Sequence, residues 1–127
     1  MIRVFLDANV YFAGCFSSTG ASSLLLTLAS HSRFRVVASR LVLREAERNL
    51  RRKATPNIVQ AFHRFLKATR ITIVSTPSDT TLRRYEAAIH PKDVPVLAAA
   101  VAAKADYLVT LDRRHFLTRA VLVRAGR

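Results

Sequence analysis

The sequence predicts an α/β fold built on a parallel sheet that helices cover on both faces, in a single domain running from residue 1 to 127. Two observations carry this expectation. Short apolar runs, continuous rather than alternating, have the pattern of strands buried on both faces. They alternate with longer segments whose apolar residues recur at helical spacing, and that rhythm implies parallel crossovers. A chain of 127 residues is long enough to bury one real core and too short for two.

In order along the chain, Ile2 to Leu6 opens as a strand. Phe16 to Ser23 reads as a loop, and Ala21 to Ser30 as a helix. Phe34 to Ala38 is the second strand. Ser39 then supplies a hydroxyl to cap a helix over Leu41 to Lys53. Thr55 before Pro56 starts another over Asn57 to Ala68, because proline is pre-shaped for the first helical turn. Ile71 to Val74 is the third strand. After the loop Ser75 to Ser78, with Ser78 or Asp79 as cap, comes a helix over Thr80 to Ile89. Asp93 before Pro95 opens the helix Val94 to Lys104, Tyr107 to Leu111 is the fourth strand, and Val121 to Val123 is a candidate fifth.

Half the residues are hydrophobic and only three glycines and four prolines interrupt them, so no long disordered segment is expected. Met1 leads directly into a strand, without the basic and apolar regions of a signal peptide. No apolar run approaches the roughly 18 residues of a membrane span. Cys15 is the single cysteine and closes no intrachain disulfide. Together these features lead us to expect a soluble protein of the cytoplasm, with no membrane partner.

Charge points to a polyanionic partner. Lys and Arg number 21 against 8 Asp and Glu, a formal net charge of +13, and seventeen of the cations are arginine, whose planar fork suits phosphate oxygens. A solvated basic surface gives the same count, so charge alone leaves the partner open.

The few acids fall in a pattern. In open α/β sheets ligands bind beyond the carboxyl ends of the strands, where strand order reverses. Asp7 follows the first strand directly and Asp112 follows the fourth; Asp93 opens the helix leading into that fourth strand, and Glu45 lies early in the helix after the second. Taken singly, Asp93 and Asp112 also read as helix caps, and Glu45 as a solvated partner of Arg44 or Arg48. Converging carboxylates in a chain of this charge repel one another unless a divalent cation offsets them, and hard oxygen ligands select Mg2+ or Mn2+. Asp106 precedes its strand and belongs to the opposite edge. Glu47 competes with Glu45, since two residues on a helix point about 200° apart and one of them faces the site.

Read together, Val4-Phe5-Leu6-Asp7-Ala8-Asn9-Val10, the stretch Ser39 to Leu50 with its central glutamate, His90-Pro91-Lys92-Asp93-Val94-Pro95-Val96-Leu97-Ala98 and Ala105-Asp106-Tyr107-Leu108-Val109-Thr110-Leu111-Asp112 resemble the PIN-domain family, in its VapC-like toxin branch. The resemblance spans nearly the whole chain. It implies a three-layer α/β/α sandwich with strand order 3-2-1-4-5, and metal-dependent hydrolysis of RNA. Asp7, Asp93 and Asp112 match the family's acidic metal-binding positions, Glu45 its helix glutamate, and Asn9 and Thr110 polar positions that orient the first acid and the metal-bound water. The Asp93 segment carries one acid where many relatives have two, which weakens a second metal position. The family further implies an antitoxin protein as partner and a homodimer.

On this reading Asp7, Asp93, Asp112 and Glu45 hold Mg2+ or Mn2+. Arg113, Arg114 and His115 contact phosphate or simply begin a basic helix, and Arg44, Arg48, Arg51 and Arg52 form a basic helix flank that guides the RNA backbone. The alternative is a non-catalytic RNA-binding module that keeps fold and charge. A haloacid dehalogenase type of phosphatase would need a second aspartate where Asn9 stands, a receiver domain an acidic pair near the first strand's end, and a dinucleotide-binding enzyme a Gly-x-Gly-x-x-Gly that occurs nowhere.

Overall fold

The computed structural model describes residues 1–75, 83, 94–111 and 122–123. Five strands form one sheet in the order β3-β2-β1-β4-β5: β1 (Arg3–Leu6), β2 (Arg35–Ser39), β3 (Ile71–Val74), β4 (Tyr107–Val109) and β5 (Leu122–Val123). β1 lies between β2 and β4, parallel to both, with Phe5 opposite Val37 on one side and Leu108 on the other. Phe5, Leu6, Val36, Val37 and Leu108 are fully buried, as continuous apolar runs require when both sheet faces are covered.

The expected α/β class and strand order are therefore present, with one difference of direction. β5 runs antiparallel to β4, pairing Leu108 with Val123 and Val109 with Leu122. An antiparallel edge strand on an otherwise parallel sheet is a common ending, because a short return needs no crossover helix.

The helices are α1 (Ala8–Phe16), α2 (Ala21–Ser30), α3 (Arg40–Lys53), α4 (Pro56–Ala68) and α5 (Val94–Ala102). The right-handed rule for parallel crossovers puts the pairs α1–α2 and α3–α4 on one face of the sheet and α5, which contacts β2 and β4, on the other. α1 is the element that periodicity does not announce. Its sequence Ala-Asn-Val-Tyr-Phe-Ala-Gly-Cys-Phe is apolar nearly all round, and helices packed on several sides lose the polar stripe by which they are recognised. It packs against α2, α3 and α4. Gly14 lets α2 approach: a Cβ there would stand 2.5 Å from Leu26 Cδ1. The expected helix Thr80 to Ile89 and its caps Ser78 and Asp79 fall, Arg83 apart, outside the described residues, as does Asp93 ahead of α5. No single helix among the described residues is long and apolar enough to cross a membrane.

Candidate active site

β1 and β4 are neighbours in the sheet but far apart in sequence, and the chain leaves β1 toward β2 on the other side. The strand order reverses between them, which opens a crevice at their carboxyl ends. Asp7 lies on that crevice, immediately after β1. Its backbone N–H donates to the Val109 carbonyl at 2.9 Å, so the end of β1 is pinned to the end of β4. Asp7 is also the N-cap of α1, with extended φ −72° and ψ 162°. Its Oδ1 accepts from the Ala8 N–H at 2.7 Å, and its Oδ2 accepts from the Thr110 hydroxyl at 2.9 Å. The residue is 6% exposed, and hydrogen bonds at both carboxylate oxygens fix its rotamer.

Thr110, fully buried, sits just beyond β4 and is the hub of the pocket. Besides donating to Asp7 it accepts from Asn9 Nδ2 at 3.4 Å, and Asn9 Oδ1 accepts from the Leu111 N–H at 3.2 Å. Thus Asn9 reaches Asp7 through Thr110 rather than directly. Asp7, Thr110 and Asn9 form a three-residue chain of hydrogen bonds between the two strand ends.

Glu45 lies in the second turn of α3, the helix that Ser39 caps by accepting from the Val42 N–H at 3.2 Å. Glu45 is exposed and makes no hydrogen bond or ion pair among the described residues. Glu47 is differently engaged: Oε1 lies 2.7 Å from His63 Nε2 on α4, and Oε2 accepts from Arg51 Nε at 3.1 Å. These bonds, that to His63 first and that to Arg51 second, hold its carboxyl below the usual glutamate range. The stripe Val42, Ala46 and Leu50 is buried, which leaves the two glutamates on opposite flanks of α3, Glu47 on the α4 side.

Arg44 and Arg48 are exposed on α3 and line, with Leu43, Glu47, Arg51, Phe62 and Leu66, a groove of about 340 Å³. Asp106 sits on the opposite edge of the sheet, where it accepts from the Arg3 N–H at 2.8 Å and caps the entry to β4. Asp93, Asp112, Arg113, Arg114 and His115 lie outside the described residues; Asp112 is two positions beyond Thr110 in sequence, and Asp93 immediately precedes α5.

Two features of this region carry no sequence signal strong enough to single them out. Tyr11, one helical turn beyond Asp7, is fully buried with its hydroxyl unpartnered among the described residues; burial first, then the Asp7 carboxylate and Cys15, push its phenol well above the ordinary tyrosine value. His63 meets Glu47 only because α4 folds back on α3, a contact 16 residues apart in sequence. Hydrophobic spacing places each residue on its helix but not the partner that the helix meets.

Among the described residues no group of three His, Cys, Asp or Glu is arranged to hold a metal ion. The described donors at the strand ends, Asp7 and Thr110, with Glu45 early in α3, are all oxygen, the chemistry of Mg2+ and Mn2+ sites rather than of thiolate zinc.

Residues 3–114 match the model of the PIN domain family. The chain belongs to that family. A search of solved structures relates this PIN domain to a crystal structure of Mycobacterium tuberculosis VapC20, described as a sarcin-ricin loop cleaving toxin. The TM-score is 0.60 at 16% identity, covering 87% of this chain and 90% of that one. At that identity the likeness is one of fold. No curated protein sequence matches the chain.

Proposed function

We propose that this PIN domain is a Mg2+- or Mn2+-dependent endoribonuclease of the cytoplasm that acts as the toxin of a toxin-antitoxin pair. The observation that carries the reading is the buried Asp7 carboxylate, held by Thr110 at the reversal point of the sheet. A carboxylate this buried at the ligand-binding edge of an α/β sheet is placed for a ligand rather than for solubility.

Asp7, Asp93 and Asp112 would hold the ion, with Glu45 beside them; a divalent cation supplies charge neutralisation at the phosphate and an acidified water. The protein's own contributions follow from its geometry. Thr110 and the Ala8 N–H hold Asp7 in one rotamer, and Asn9 keeps Thr110 in place. Glu45, exposed and unpaired among the described residues, accepts the proton of the water that attacks phosphorus in line. Glu47 cannot share that role while His63 and Arg51 occupy both its oxygens. Arg113, Arg114 and His115 beyond the crevice, and Arg44 and Arg48 along α3, steady the phosphates of the strand. An antitoxin protein would shield the acidic crevice, as the family suggests, and the toxin would assemble as a homodimer.

The test is cleavage of a mixed single-stranded RNA at low salt with Mg2+ or Mn2+, against EDTA and against Asp7→Asn. Cutting that disappears in both controls is the expected result. RNA binding without cutting under every metal would replace this reading with that of a non-catalytic RNA-binding module.

A further inference from the structure

One face of α1 carries a feature that hydrolysis does not require. Asn9, Phe12 and Phe16 are spaced i, i+3 and i+7, so they lie along one side of the helix that starts at Asp7. Phe12 and Phe16 are stacked, with centroids 5.5 Å apart and planes 16° from parallel. Phe16 is 52% exposed. Lys53, the last residue of α3, is exposed and holds its ammonium 5.9 Å from the centre of the Phe12 ring. A large aromatic at a helix end often serves as an apolar cap, yet α1 ends otherwise: Ser17 is extended and donates its N–H to Ala13. The remaining account of Phe16 lies in what its open face can receive.

From these observations we infer that Phe16, stacked on the Phe12 ring that Lys53 adjoins, is a platform for one unpaired base of a single-stranded RNA whose backbone continues to the Asp7 crevice. Three properties fit this occupant. A π face that is already layered on a second ring is rigid, so a base adds a third layer at little ordering cost. Every base has such a face, which makes the contact tolerant of sequence. Lys53, whose ammonium adjoins the stacked pair on a chain of net charge +13, complements the phosphate that accompanies the base, whereas an apolar peptide would leave it unanswered. The distance is also suitable. Phe16 lies about 10 Å along the axis from Asn9, which is roughly three stacked nucleotides.

The inference rests on the RNA reading of the crevice, and the experiment separates the two. Fluorescence anisotropy would measure a labelled single-stranded RNA of mixed sequence against Asp7→Asn protein, which leaves the probe uncut, with Phe16 intact, as Phe16→Leu and as Phe16→Tyr. Phe16→Leu keeps an apolar side chain at an exposed position but removes the π face. It should weaken binding about tenfold, with Phe16→Tyr restoring it. On an RNA of the same length lacking its bases, the Phe16→Leu protein and the protein with Phe16 intact should bind alike. Equal affinity of those two proteins for the base-bearing RNA would overturn the platform while leaving the ribonuclease reading intact. Equal losses on base-bearing and abasic RNA would overturn it too, by assigning Phe16 a structural role. A Phe16→Leu protein that binds RNA normally but changes from dimer to monomer on gel filtration would give the face to a second copy of the chain. Failure of every Asp7→Asn protein to bind RNA, together with failure of the protein with Asp7 intact to cut it, would overturn the ribonuclease reading, and this inference with it.

Discussion

The hydroxyl of Thr110 donates to Oδ2 of Asp7 across 103 positions of sequence, and it does so at the point where the sheet changes direction. The partner of the first acid is thus supplied by the residue that follows β4, and orientation of the carboxylate depends on β1 and β4 being paired.

Thr110→Val keeps the shape of the side chain and deletes the donor. Removing a group that orients a metal-binding carboxylate lowers metal affinity or activity by about 10- to 100-fold, and Thr110→Ser should recover most of it. Mn2+ titrations of RNA cleavage with the three proteins measure this. Unchanged titrations for Thr110→Val would remove the hydroxyl from any part in the site.

Asp7 both caps α1 and faces the crevice, and two substitutions separate these duties. Asp7→Asn retains a side-chain oxygen able to accept from the Ala8 N–H, so cleavage should vanish while metal-free thermal stability stays equal or rises. Asp7→Ala loses the cap as well and should fall about 1 kcal/mol below Asp7→Asn. Thermal melts in EDTA decide. A large loss for Asp7→Asn would show the carboxylate to be structural.

Glu47 gives the fold an acid-side sensitivity. His63 and Arg51 hold its folded-state pKa below the ordinary 4.5, so its contribution to stability is complete above that value and is lost as pH falls through the lowered one. The participating side chains are 37% exposed or more, so water screens the pair and the effect is small. Urea midpoints on either side of pH 4.5 should fall less for Glu47→Gln than for the parent protein; parallel slopes would show that the contacts carry no net energy.

Tyr11 holds a hydroxyl in the core without a partner among the described residues, and the rings of Phe62 and Phe65 meet its ring edge-on at 5.9 and 6.1 Å. An unsatisfied buried donor costs about 1–3 kcal/mol, so Tyr11→Phe should stabilise the protein by about 1 kcal/mol. Chemical denaturation checks it, and a destabilised Tyr11→Phe protein would reveal a hydrogen bond to that hydroxyl.

What the sequence makes legible follows from how local each signal is. Ile71 to Val74 and the opening run before Asp7 read as strands because their apolar character is continuous, and Ser39 marks the start of α3 because its hydroxyl is needed three residues later. Asp106 is assigned to the far edge by its position ahead of β4, and its bond to Arg3 places it there. α1 escapes because a helix buried on several sides shows no period, and with it escapes the capping duty of Asp7. The choice between Glu45 and Glu47 needs α4, whose His63 claims one of them; no spacing within α3 contains that fact. Strand order came from family likeness, and the reversed direction of β5 from neither spacing nor composition. Asp93 and Asp112, two of the four expected acids, lie outside the described residues and stand on sequence position alone.

β3 ends the sheet opposite β5, and its Ile71-Thr72-Ile73-Val74 is a β-branched stretch with Ile73 half exposed. Such a border is a template for the strand of another molecule. Two copies approaching border to border also bring together two clouds of arginine, and the repulsion reaches only as far as the ions in solution allow. Salt therefore lowers the barrier to self-pairing, so the colloidal ceiling of this chain is set by its surface charge, and a polyanion that neutralises the arginines would act on it in the same way as salt.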